Sequence, residues 1–111
     1  MNRKVLIIDD EEDLCMMVNK FLTGRNYDVF SAYSIADGLK KLHEIIPDSL
    51  LLDNNLPDGL GWIQASALHV QYPLMHITLI SANSIFPLEF TGNQFTMMEK
   101  PISLATLEQY L

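Results

Sequence analysis

The sequence of 111 residues contains a single cysteine, Cys15, so no disulfide can form within it, and a reducing compartment suits it. Cations are scarce: seven lysines and arginines stand against fourteen acids, a formal net charge of -7. A surface of that sign repels a phosphate backbone, which argues against direct binding of nucleic acid. No apolar run approaches the roughly 20 residues of a membrane span. The N-terminus passes from a short apolar run straight into acids, unlike a signal peptide, so a cytoplasmic setting and no membrane contact are expected. Internal repeats, low-complexity tracts and linkers are also missing. What remains, 49% hydrophobic and 19% charged, is the composition of one globular domain, large enough for one hydrophobic core.

The chain is organised around Leu50-Leu51-Leu52-Asp53-Asn54-Asn55-Leu56-Pro57. Three leucines read as a strand buried on both faces, and a carboxylate follows at once. Ligands of open α/β sheets bind beyond the carboxyl ends of such strands, which is where Asp53 falls. Val5-Leu6-Ile7-Ile8 is a similar run and leads into Asp9-Asp10-Glu11-Glu12-Asp13. A helix N-terminus accounts for Glu11, Glu12 and Asp13. Asp9 and Asp10 end a buried strand, and adjacent carboxylates there repel unless a cation lies between them.

The remaining elements alternate. Leu14, Met17, Val18, Phe21 and Leu22 predict an amphipathic helix stopped by Gly24, with Cys15 an inert thiol beside the stripe. A second strand is expected over Asp28 to Tyr33. Ser34 to Asp37 resembles a capping box and opens a helix with Ile35, Leu39, Leu42 and Ile46 on one face. A third helix carries Trp62, Ile63, Ala65, Ala67, Leu68 and Val70, and His76 to Ile80 forms the fourth strand. Ser84 to Gln94 holds Pro87 and Gly92 without a helical stripe, so a short or irregular fourth helix is expected. Phe95 to Met98 is the fifth strand, and Ser103 caps a last helix from Leu104 to Leu111. Such alternation predicts an α/β fold, a doubly wound parallel sheet of five strands covered on both faces.

Five polar positions share one address, since each directly follows an apolar strand: Asp9, Asp10, Asp53, Ser81 and Lys100. Parallel strands put their carboxyl ends on one edge, so these side chains can converge. An Asp after one strand is ordinarily a turn residue; five positions in register are harder to explain that way. Three carboxylates form a hard oxygen site suited to Mg²⁺. A carboxylate can also accept a phosphoryl group, with the metal, Lys100 and Ser81 neutralising its oxygens. The acids come from separate strands and lack EF-hand spacing, which makes a calcium-binding loop a poor alternative.

Asp9-Asp10, Asp53 with Leu56-Pro57 and Gly61, Ser81-Ala82 and Lys100-Pro101 resemble the receiver domain of bacterial two-component response regulators, over essentially the whole of 1–111. The resemblance implies a CheY-like, flavodoxin-like fold with strand order 2-1-3-4-5. It implies that Asp53 accepts a phosphoryl group from a sensor histidine kinase or a histidine phosphotransfer protein. Asp10 would hold Mg²⁺ directly, Asp9 largely through water, and Asn55 through its backbone carbonyl. Ser81 and Lys100 would bind the phosphoryl oxygens, with a cis Lys100–Pro101 peptide. The protein would switch an effector domain or partner as a monomer or weak dimer, assisting its own phosphorylation without being a turnover enzyme.

Three features depart from the family pattern. Met97 stands where the family usually carries a switch Tyr or Phe, the segment between Ser81 and Lys100 is helix-poor, and the last helix stops at Leu111. The last suggests a domain cut from a longer chain. The departures motivate an alternative, a phosphorylation-independent interaction module. A hydrolase with an aspartyl nucleophile is disfavoured, because such enzymes expect a second acid where Asn55 stands. Asn54, Asn55 and Asn83 border the site, and the family implies an effect of the Asn55 position on dephosphorylation. His43, His69 and His76 lack metal-ligand spacing and read as packing residues, as do Trp62, Met16, Met17 and Met98.

Overall fold

A computed structural model describes residues 2–82 and 94–111. In chain order it contains β1 (Lys4–Ile8), α1 (Glu12–Thr23), β2 (Asp28–Ala32), α2 (Ile35–Ile45) and β3 (Ser49–Asp53). A small hairpin follows, β4 (Asn55–Leu56) and β5 (Gly59–Leu60), then a 3-10 turn (Gly61–Gln64) and α3 (Ala65–Gln71). β6 (His76–Ser81), β7 (Phe95–Glu99) and α4 (Leu104–Glu108) complete the described elements. The main sheet runs β2-β1-β3-β6-β7 with every pair parallel. Counting only its own strands, that is the expected order 2-1-3-4-5. The irregular helix expected over Ser84 to Gln94 lies outside the described residues, apart from Gln94.

Successive side chains of a strand point to opposite faces, and the core divides accordingly. Leu6, Ile8, Leu50, Leu52, Ile77 and Leu79 pack on one side against Leu42 of α2 and Trp62, Ala65 and Leu68 around α3. Val5, Ile7, Leu51, Ile80 and Met98 pack on the other against Cys15, Val18 and Leu22 of α1 and Leu107 of α4. Each fully buried aliphatic side chain contributes about 1.5–3 kcal/mol relative to leaving it exposed. The central strand β3 is buried along its whole length, Asp53 included.

Two helical stripes differ from expectation. In α1 the buried residues are Cys15, Val18 and Leu22, while Met17 is 54% exposed. At about 100° per residue, Met17 lies some 130° round the helix from the centre of that trio. The stripe therefore runs through Cys15 rather than beside it. The third helical segment begins as a 3-10 turn and buries Trp62, Ala65 and Leu68, leaving Ile63 and Val70 in solvent. Ser34 and Ser103 cap α2 and α4 through bonds from Asp37 N and Thr106 N.

Candidate functional site

The carboxyl edge of the sheet gathers the residues that the strand ends singled out. Asp9 N donates to Ala32 O at 3.0 Å, extending the β1–β2 ladder by one bond and holding Asp9 fully buried. Its Oδ1 accepts from Glu11 N at 2.9 Å where α1 begins. Asp10, next in the chain, is exposed. Asp53 closes β3, is 4% exposed, and pairs in register with Ile80. One carboxylate oxygen from each of Asp9, Asp10 and Asp53 lies within 4.8 Å of the others.

Lys100 supplies the counter-charge. Its Nζ lies 2.9 Å from Asp9 Oδ2, 3.0 Å from Glu11 Oε1 and 3.7 Å from Asp53 Oδ1. Lys100 N donates to Ser81 O at 2.7 Å, and the Lys100–Pro101 peptide is cis, as the resemblance implies. Burial works against the charge on Lys100, but the Asp9 and Glu11 carboxylates outweigh it and hold its pKa above the ordinary lysine value. Asp53 shifts the other way for a carboxyl: burial and then the nearby Asp9 charge push it up to about 6, against the pull of Lys100. It is still mainly ionised at neutral pH, in a site rich in negative charge. Three carboxylates are hard oxygen donors, and their convergence fits a divalent cation of the Mg²⁺ kind.

Behind Asp53 the backbone is clamped. Gly61 N donates to Asn54 O at 2.8 Å, Trp62 N to Asn54 Oδ1 at 3.2 Å, and Trp62 Nε1 to Leu52 O at 3.1 Å. A Cβ on Gly61 would stand 2.1 Å from Asp53 O, so only glycine permits this approach. Asn54 thus serves as the clamp, a role that turn preference alone did not reveal. Asn55, two residues after Asp53, opens the hairpin, exposed and paired with Leu60.

The other singled-out residues fall as follows. Ser81 is largely buried at the end of β6, one residue beyond Asp53's register partner. Met97 pairs with Leu79 and packs on the core side that holds α2 and α3, sharing that side with Phe95. Asn83 lies outside the described residues. Cys15 is buried with Sγ 3.4 Å from Asp9 O, and burial, then the Asp9 charge, push its thiol up to about 12, which leaves it unreactive. His43 bonds Tyr72 at 2.6 Å, His76 bonds Thr96 at 2.8 Å, and His69 sits edge-on to Phe95. Two contributors escaped the sequence reading. Glu11 is a third acidic partner of Lys100, although its position reads as ordinary helix capping. Asp58 sits in a Pro-Asp-Gly turn, and its bonds reach 23 residues back along the chain.

Fold and site together define a class: flavodoxin-like domains with an acid-and-lysine cluster at the carboxyl edge of a parallel sheet. Within it, the chain belongs to the response regulator receiver domain family, whose sequence pattern matches residues 5–111. It is thus a receiver domain of the two-component response regulators. Among curated relatives, the alkaline phosphatase synthesis transcriptional regulatory protein PhoP of Bacillus subtilis is 31% identical over 108 residues. That match takes in 93% of this chain, which spans only 44% of that relative's length. Among solved structures, the chemotaxis protein CheY4 of Vibrio cholerae superposes with a TM-score of 0.85 at 23% identity, with all of both chains covered. A CheY-like receiver domain from Methanospirillum hungatei gives 0.85 at 24% identity, covering 98% of this chain and 90% of its own. A response regulator from Burkholderia pseudomallei with a phosphorylated aspartic acid, calcium ion and citrate gives 0.84 at 18%, covering 99% of this chain and 66% of its own. These likenesses support the fold. Among the described residues no helix is long and apolar enough to cross a membrane.

Proposed function

We propose that residues 1–111 act as one phosphoacceptor domain, with Asp53 the residue modified. The observation that carries this reading is the convergence of Asp9, Asp10 and Asp53 within 4.8 Å, with Lys100 Nζ 3.7 Å from Asp53. Asp9, Asp10, Asp53 and the Asn55 carbonyl would hold Mg²⁺. When bound, that ion neutralises charge on the transferring phosphoryl oxygens. An Asp53 oxygen attacks the phosphorus of a phosphohistidine on a sensor kinase or phosphotransfer protein; the P–O bond forms as the P–N bond breaks, and the imidazole leaves with its electron pair. Lys100 and the Ser81 hydroxyl hold the equatorial oxygens of the group as it arrives. Burial of Asp53 keeps bulk water from the resulting acyl phosphate. The domain assists this reaction on itself and releases no product in repeated turnover.

Output runs through Ser81 and Met97 in this reading. Ser81 touches the new phosphoryl group, and Met97, two strand residues before Glu99, stands where a change in β7 reaches the α2–α3 core. A partner or an effector domain of a longer protein would receive the signal, in the cytoplasm, with the domain itself a monomer or weak dimer. The intact cluster of acids and lysine weighs against a phosphorylation-independent module.

The test is labelling by acetyl phosphate with Mg²⁺, read by mass spectrometry of the intact protein. One phosphoryl group per wild-type chain and none on Asp53→Asn is expected. Equal labelling of the Asn variant at another residue overturns the assignment.

A further inference from the structure

The hairpin that follows Asp53 is tied at its tip to the N-terminus of α2. Asp58 lies in the turn between β4 and β5. Its Oδ1 accepts from Ile35 N at 2.8 Å and its Oδ2 from Ala36 N at 3.0 Å. Those are the first two amides of α2, which have no partner within the helix. Ser34 Oγ takes the third, from Asp37 N at 3.2 Å, and the helical ladder begins at Gly38 N. The whole helix end is thus satisfied by two side chains, one local and one from the hairpin.

The hairpin needs that tie. β4 and β5 contribute two residues each, and a ladder that short is marginal in water. Leu56 anchors it to the core from below, and Asn54 clamps its base to Gly61 and Trp62. Asn55 and the turn are exposed, and Gly59 at φ 143° adopts a backbone that a substituted residue would resist. Between base and tip, Asn55 pairs with Leu60 across the exposed hairpin, and among the described residues Asp58 carries the hydrogen bonds that join this hairpin to α2. The carboxylate is fully exposed, yet these two amides depress its pKa, Ile35 first.

We propose that Asp58 is a positioning residue for the metal site: its grip on α2 holds the hairpin so that the Asn55 carbonyl stays at the coordination position. The inference rests on the metal reading above. It makes α2 part of the site's support, although no residue of α2 belongs to the acid cluster.

The test is a Mg²⁺ titration of the intact chain, followed by fluorescence of Trp62, whose Nε1 bonds the residue before Asp53. Asp58→Ala should raise the Mg²⁺ dissociation constant about tenfold, the lower end for residues that orient metal ligands, and Ser34→Ala should change it by less than about twofold. Ser34→Ala removes the other cap of the same helix end, so it controls for simple loss of α2 stability. Asp58→Asn keeps one acceptor oxygen and should fall between. Amide exchange of the metal-free proteins gives a second readout: the β4–β5 amides should exchange faster in Asp58→Ala and not in Ser34→Ala. Equal effects of the two alanine variants on Mg²⁺ affinity, or unchanged exchange in the hairpin, overturn the proposal. Failure of the metal reading looks different, because the wild type itself would then show no response to Mg²⁺, and the inference would fall with it.

Discussion

The anchors next to Asp53 on the β3 side are neutral hydrogen bonds: Asn54 O and Oδ1 accept from Gly61 and Trp62, and Leu52 O accepts from the indole. On the β7 side, Lys100 is held by charge, shared among Asp9, Glu11 and Asp53 at 2.9, 3.0 and 3.7 Å. The neutral clamp keeps its strength whatever the charge state of the site and is little affected by salt. The ion cluster does not, since any cation or phosphoryl group arriving there redistributes Lys100 among its partners. One side therefore fixes where the Asp53 carboxylate stands, and the other side can answer to what is bound to it. Asp53 belongs to both, as the end of a fully buried strand and as a member of the acid cluster.

The strongest way to break the neutral side is Gly61→Ala. A Cβ there would stand 2.1 Å from Asp53 O, a backbone atom that cannot turn aside, and 3.0 and 3.2 Å from the Leu56 and Leu52 methyls. The expected loss is about 3 kcal/mol of unfolding free energy, at the upper end for inserting a methyl into a packed site. Urea unfolding should give the same loss with and without Mg²⁺, because the damage lies in the chain path. A loss that Mg²⁺ reverses would show that the clamp and the ion cluster are not separate.

Lys100→Met attacks the charged side alone. It leaves Asp9, Asp53 and Glu11 facing one another without a cation. Breaking a buried ion pair on one side costs about 3–5 kcal/mol, and roughly 2 kcal/mol is expected here because Lys100 keeps some solvent contact. Unlike the Gly61 variant, this loss should shrink in Mg²⁺, since carboxylates freed of the competing ammonium bind the cation more tightly than those of the wild type, and tighter binding to the folded state stabilises the variant more. The comparison is read from urea midpoints at low and saturating Mg²⁺. Equal losses in both conditions would mean that Lys100 contributes packing rather than charge.

What could be read from the amino acids follows the same division. The parallel sheet and the meeting of Asp9, Asp10, Asp53 and Lys100 follow from apolar runs that end in polar residues, and buried parallel strands state that pattern directly, whereas the strand order came from the family resemblance. The phase of α1 was less legible. Met17 and Cys15 are both apolar, and only the neighbouring β2 and α4 decide which one faces inward. Glu11 was hidden because a carboxylate beside a helix start satisfies local rules whether or not it reaches Lys100. The hairpin was hidden for a different reason: two strands of two residues carry no periodicity, and the carboxylate that holds them meets its partners 22 and 23 residues away in sequence. Local signals report helices, strands and caps, whereas these contacts depend on where the finished sheet sets two loops.

Asp58 gives the smallest effect and separates the two kinds of anchor by pH. The Ile35 and Ala36 amides hold its carboxyl below the ordinary value of 3.8. Its folded pKa thus lies below its unfolded one, so the folded state binds fewer protons between the two values. That contribution to stability is complete above the unfolded value and disappears as pH falls through the folded one. Asp58→Asn has no such titration, so its stability should change less steeply than that of the wild type as pH drops below about 4. The neutral clamp at Asn54 contributes no slope of its own, and a Trp62→Phe variant should keep the wild-type acid limb while shifting the whole curve down. Urea midpoints measured from neutral pH into the acid range test this. If Asp58→Asn follows the wild type through the acid limb, the exposed carboxylate is only decorating the turn, and the hairpin is held by Leu56 and the neutral clamp.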